Sequence, residues 1–245
     1  MKARVFQSAA VLAVIALIAA SAQAATVAIS IGVRETGTTA PIGGNGGSAG
    51  GIEFINRDGQ SLTLDGTWQK FTFNFGTDSV TAFAGATANG VLDGTRGALE
   101  HIRILNVDGT IRPITLWIDD VVNTVATGDV AITGFEGYAA DAQVIFRQPS
   151  YSGSTAGNLV TPPNFSGADN NGGYAGASSY RVEFQFKDGD PAKWLRLTTF
   201  GAPNLPNPAI EFASGNSLSF WMKGTPEPAT LVLLGLGGLL LRRRR

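Results

Sequence analysis

The residues able to do chemistry are few and scattered. The chain has one histidine, His101, and no cysteine, so thiolate catalysis, Cys-ligated zinc and disulfide bridges are excluded. His101 stands in Leu99-Glu100-His101-Ile102-Arg103, where strand alternation puts it on one face with Arg103. A lone strand histidine is an ordinary surface or core residue before it is a general base. Glycoside hydrolysis needs two carboxylates about 5 to 10 Å apart across one cleft. Glu53, Asp65, Glu100, Asp119, Asp120, Glu136, Glu183 and Glu211 are available, but nothing in their spacing pairs two of them. Serine-hydrolase chemistry is not expected either, and the chain reads as non-catalytic.

The aromatic residues are better placed for a function. Pyranose rings stack on aromatic faces while nearby Asn, Asp and Arg bind their hydroxyls. Trp68, Trp117, Trp194 and Trp221 and Tyr138, Tyr151, Tyr174 and Tyr180 are the candidates. Trp68, Trp117 and Trp221 lie in strongly alternating strands and are expected in the core. Trp194 follows Lys187-Asp188-Gly189-Asp190-Pro191, and Tyr174 lies in a polar stretch. Those two are expected at the surface, as ligand contacts.

Short strands must carry these side chains. No segment sustains an apolar stripe at helical spacing, whereas alternating runs bounded by turn residues recur, which predicts an all-β body. Val27, Ile29, Ile31 and Val33 form one such face. Residues 51–56 and 61–64 read as two strands around a hairpin-type turn at Arg57-Asp58-Gly59. Phe71, Phe73 and Phe75 share a parity opposite to Trp68. Residues 99–106 and 114–123 follow, the latter with Leu116, Ile118 and Val122 on one face. Beyond Thr127-Gly128-Asp129, a plausible joint, strands are expected at 130–134, 144–147, 180–187, 193–200 and 217–223. Residues 36–50, 84–97 and 150–179 read as loops, the last rich in Gly, Asn, Ser and Pro and so the first place to look for a binding surface.

The two ends carry addresses. Lys2 and Arg4 precede an apolar run from Ala9 to Ala20, and Ala22-Gln23-Ala24 offers the small residues that a signal peptidase reads, with cleavage expected after Ala24. At the other end Pro226-Glu227-Pro228 is followed by an apolar run, Leu231 to Leu241, and by Arg242, Arg243, Arg244 and Arg245. As a helix Ala229 to Leu241 would cover only about 20 Å of a ~30 Å hydrocarbon core, while the arginine block would stop export on the cytoplasmic side. A signal helix and a short C-terminal hydrophobic helix are therefore expected to flank a body at 25–224. That body holds 12 of the 18 basic and 18 of the 19 acidic residues, a charge of about −6, which argues against a nucleic-acid partner.

The C-terminal pattern resembles the PEP-CTERM sorting signal of exported bacterial proteins. The resemblance implies transient membrane tethering, processing by an exosortase-type enzyme, and delivery to the cell surface or extracellular matrix. In the body, residues 64–71 and 114–121 resemble the later strands of galactose-binding-like jelly rolls found in carbohydrate-binding modules. Residues 134–136 resemble their opening strand, 151–154 the small loop that follows it, and 218–224 their middle strand. The later-half features come first, so a circularly permuted jelly-roll β-sandwich joined near 124–129 is expected, with two half-sized β domains as the rival. The resemblance also implies a structural calcium held by Asp120 and Glu136, Asp120 being preferred to Asp119 on parity with Ile118. The expected function is non-catalytic, plausibly polysaccharide binding through residues 150–179 and the neighbourhood of Trp194; the alternative is a structural surface component without a ligand.

Overall fold

A computed structural model describes residues 25–35 and 50–226. The signal-peptide, apolar-tail and arginine segments, including Ala22, Ala24, Glu227, Pro228 and Arg242 to Arg245, and with them both expected flanking helices, lie outside the described residues. Among the described residues two antiparallel six-stranded sheets face each other as a β-sandwich. The strands are β1 (Thr26–Glu35), β2 (Ile52–Thr63), β3 (Gln69–Asn74), β4 (Val80–Ala84), β5 (Arg96–Leu105) and β6 (Ile114–Val125), then β7 (Gly128–Thr133), β8 (Leu159–Asp169), β9 (Ser179–Phe186), β10 (Trp194–Thr198), β11 (Ala209–Glu211) and β12 (Ser217–Pro226). Sheet A runs β10-β5-β1-β2-β4 with β11 also on β5; sheet B runs β3-β12-β6-β9-β8 with β7 also on β6.

Strands from both sides of residue 128 interleave in both sheets, and β7 pairs with β6 from Val121↔Thr133 to Val125↔Gly128. Two half-sized domains are not the arrangement seen. One core lies between the sheets, with Val27, Ile29, Ile31 and Val33 of β1 opposing Phe71, Phe73 and Phe220 of sheet B. Burying side chains of this size stabilises by roughly 1.5–3 kcal/mol each, so alternation fixes which face turns inward.

Four local expectations are corrected. Residues 57–59 do not reverse the chain, because both flanking segments pair with β1, Ile31↔Ile55 and Ile29↔Gln60; the turn residues instead bulge out of one continuous strand. In β6 the parity switches at Asp119-Asp120, where Asp120 has φ 48°, so Val121 rather than Val122 joins Ile118 in the core. Residues 144–147 form no strand: Val144, Ile145 and Phe146 are all fully buried, wedged where alternation would have exposed one of them. The long loop at 150–179 contains β8, an edge strand in which Pro162 and Pro163 fall at an irregularity between Val160 and Phe165, where missing donors are tolerated. Its irregular remainder on the far side of β8 is residues 170–178.

Candidate functional site

The outer face of sheet A carries a buried ionic group beneath aromatic rings. A bulge in β5, between the pairs Gly32↔His101 and Val33↔Leu99, turns both Glu100 and His101 to this face. The His101 ring lies flat on β1 at Gly32, where a Cβ would occupy the ring itself. Glu100 and His101 are fully buried. His101 Nδ1 pairs with Glu100 Oε2, and Arg196 donates to both carboxylate oxygens, Nη2 to Oε1 at 2.5 Å and Nε to Oε2 at 3.2 Å. Thr198 Oγ1 donates to Glu100 Oε1 at 3.1 Å, and Arg34 Nη2 approaches it at 3.8 Å. Burial opposes ionisation of Glu100, yet the His101 and Arg196 pairings outweigh it and hold the carboxyl down at about 2. Burial also pushes His101 below its usual value, so at neutral pH the lasting charges here are the guanidinium groups and one carboxylate.

Above this group opens a cleft of about 460 Å³ lined by Arg34, Glu100, Tyr151, Arg196, Thr198 and Phe200, with Ser152 and Gly153 at one edge. Tyr151 and Phe200 are exposed on its rim, and the Arg147 guanidinium stacks 4.3 Å from the Tyr151 ring. Concave sites of this size with a few convergent polar groups are the usual form of a small-ligand site. The expected ligand contact Trp194 is on the same face but half-buried. It packs edge-on against Phe54 and Phe83 at 5.8 and 5.7 Å, with the Arg103 guanidinium 5.2 Å over its ring. Trp194 is thus a wall residue of the sheet rather than a free platform, a correction that follows from Phe83 belonging to β4, a strand the sequence does not announce.

The outer face of sheet B holds the other aromatics. Parity opposite to Phe220 and Ile118 places Trp221 and Trp117 outside the core, and Trp68 joins them, so the three are half-exposed rather than core residues. Lys223 Nζ lies between Trp68 and Trp117, 4.7 and 5.1 Å from their centroids. Tyr174 is exposed as expected, but one ring face is stacked on Trp221 at 3.6 Å and 14°. Trp117 Nε1 donates to Asp169 Oδ2 at 2.9 Å.

The acids expected to hold calcium do another job. Tyr174 and Ala175 N–H donate to Asp119 Oδ2 at 2.6 and 3.3 Å, and Ser178 N–H and Oγ donate to Glu136 at 2.9 and 3.2 Å. Asp119, not Asp120, is the buried member of the pair, and burial raises its carboxyl above the usual range. These amide contacts engage Asp119 and Glu136 and pin residues 170–178 to the sheet; among the described residues no three His, Cys, Asp or Glu side chains group to hold a metal. Sequence reasoning named Glu100 without a partner and missed Arg196, Arg34 and Phe200, which only the pairing of β10 with β5 and β5 with β1 brings together. It also passed over Gly46-Gly47-Ser48-Ala49-Gly50, which has Gly-x-Ser-x-Gly spacing; a nucleophile elbow needs a strand-to-helix turn, and the strands on either side of this run, β1 and β2, pair directly with each other.

Residues 225–245 match the family model described as the PEP-CTERM protein-sorting motif. No curated protein and no solved structure matches the chain. The motif marks an exported protein of the cell envelope or surface, sorted by exosortase-type machinery. Among the described residues no helix is long and apolar enough to cross a membrane.

Proposed function

We propose that this exported, sorted protein is a non-catalytic polysaccharide binder whose saccharide contacts lie in the cleft on the outer face of sheet A. The observation that carries the reading is the cleft itself: exposed Tyr151 and Phe200 rings on the rim above a buried Arg196–Glu100 floor. Rings of this kind supply stacking faces, and the floor is oriented before any ligand arrives, which lowers the entropy cost of binding. Arg34, Arg147 and Arg196 outnumber Glu100 around the cleft in a body of net negative charge. The excess of positive charge around the cleft favours an acidic sugar as the preferred unit. The absence of catalysis is supported by His101, sealed under Phe54 and Trp194 with its carboxylate already committed. A galactose-binding-like, permuted jelly roll remains our finer description of the sandwich, supported by the hairpin of β6 and β7 at the expected junction.

The second reading is a structural surface component with no ligand, favoured by the fact that Glu100 and Arg196 already satisfy each other. Binding of the exported protein to a panel of neutral and uronate-bearing glycans separates the two. Tyr151→Ala is expected to lower retention of an acidic glycan roughly two- to tenfold, one aromatic stacking contact being worth about 0.5–1.5 kcal/mol, with the melting temperature unchanged. Retention equal to wild type across the panel would support the structural reading. Loss on Tyr174→Ala but not on Tyr151→Ala would move the site to sheet B.

A further inference from the structure

Both ends of the described body leave the sandwich side by side. β12 stays paired to β6 through Thr225↔Thr115 and Pro226↔Ile114, so the first residue of the Pro226-Glu227-Pro228 tripeptide is still in a sheet. Ala25 accepts from Leu64 N–H at 2.8 Å, and Gly224 accepts from Gly66 N–H at 2.9 Å, so the two exits are separated by a single two-residue step of one segment. The loop of residues 106–113 crosses this same end: Asp108 accepts from Thr26 N–H at 2.6 Å, Gln185 donates to the Ile111 carbonyl at 2.9 Å, and Ile114 follows directly.

The exposed residues of that loop are Val107, Asp108, Ile111 and Arg112. Val107 and Ile111, 39% and 55% exposed, give it a solvent-facing apolar component. Its charges are mixed, with Arg112 and Lys187 beside Asp108 and Asp188, so apolar contact rather than charge attraction is what it offers. The chain beyond the sandwich says what lies opposite. Four residues, 227–230, separate Pro226 from the apolar run beginning at Leu231. Fully extended they reach about 15 Å, and a polar head-group layer takes up roughly 5–8 Å of that. Before leader removal, Ser21 to Ala24 impose a similar limit at the other exit.

We infer that, while the tail is inserted, this end of the sandwich rests on the bilayer, with Val107 and Ile111 seated in the lipid head-group region. The occupant is a lipid surface, and the fold is oriented with the β6–β7 end pointing away. Val130 on β7 provides the control: it is 52% exposed, as Ile111 is, but it pairs with Asn123, some 30 Å along β6 from Ile114 at strand rise.

The absence of cysteine permits a clean test on the full chain. Ile111→Cys, Val107→Cys and Val130→Cys would each be labelled with a polarity-sensitive fluorophore and reconstituted in zwitterionic vesicles with or without a lipid quencher at head-group depth. The expected result is roughly twofold or greater quenching at 111 and 107, as for apolar groups buried about 5–10 Å into the interface, and none at 130, with all three variants melting as wild type. Equal quenching at the two ends, no quenching at 111 and 107 in vesicle-bound chain, or failure of the full chain to co-float with vesicles would each overturn the inference.

Discussion

At the scale of single residues the sensitive point is Glu100. It is the carboxylate paired with His101 and Arg196 and approached by Arg34 in the buried group, and removing one partner of a buried ionic pair typically costs about 3–5 kcal/mol because the other charge is left without compensation. Glu100→Gln is therefore expected to lower stability by that amount in chemical denaturation at pH 7, with denaturant dependence unchanged. The pH profile follows from the same pairing. The Glu100 carboxyl stands at about 2 in the fold against an ordinary 4.5, so the folded state binds its proton less tightly than the unfolded chain does. Its contribution is complete above about pH 4.5 and is lost as pH falls toward 2. Melting curves taken across that window should show an acid limb in the wild type that is flatter in Glu100→Gln; parallel limbs would mean that the pairing does not hold the carboxyl down.

At the scale of elements, Asp119 and Glu136 hold residues 170–178 by accepting from their backbone amides. Asp119→Ala leaves the Tyr174 and Ala175 amides without their side-chain acceptor; both residues are exposed, so water replaces part of the pairing and each lost bond costs about 0.5–1.5 kcal/mol net. Faster amide exchange confined to residues 170–178 is the expected result, and the wild-type melting temperature should not move on adding EDTA; an EDTA shift would restore a cation to this place. The same residues show what the sequence could tell. Leu116 and Ile118, and Phe71 and Phe73, turn inward as their spacing predicts, because parity is a property of three or four consecutive residues. Whether Asp119 or Asp120 is buried depends on a bulge in β6, where three steps from Asp119 to Val122 face two from Ser219 to Trp221 of β12, a break that alternation alone does not announce. The strand at Pro162-Pro163 was hidden because an edge position excuses a proline, and edges exist only once the sheet order is known. The cleft was illegible for the same reason, since Arg34, Glu100, Tyr151 and Arg196 come from four distant stretches.

At the scale of the whole molecule, the fold and the sorting motif share residues. β12 is an interior strand of sheet B, flanked by β3 and β6, and it remains paired through Pro226. An enzyme that reads an extended peptide does so through that peptide's own backbone groups, and those of Thr225 are committed to Thr115 while the sheet end is intact. Engagement of Pro226-Glu227-Pro228 together with the residue before it therefore requires the last step of β12 to fray. Breaking one or two net hydrogen bonds costs about 1–2 kcal/mol, so the engaged state is reached only some 3 to 15% of the time. A four-residue Gly/Ser spacer inserted between Thr225 and Pro226 removes that requirement without touching the motif. Processing in exosortase-containing cells, followed as the ratio of precursor to shortened form after a pulse of synthesis, should be roughly tenfold faster with the spacer and should become independent of body stability. An unchanged rate would mean that the enzyme accepts the end of the sheet as it stands, and that the junction between the body and its address is rigid by design of the fold rather than an obstacle to processing.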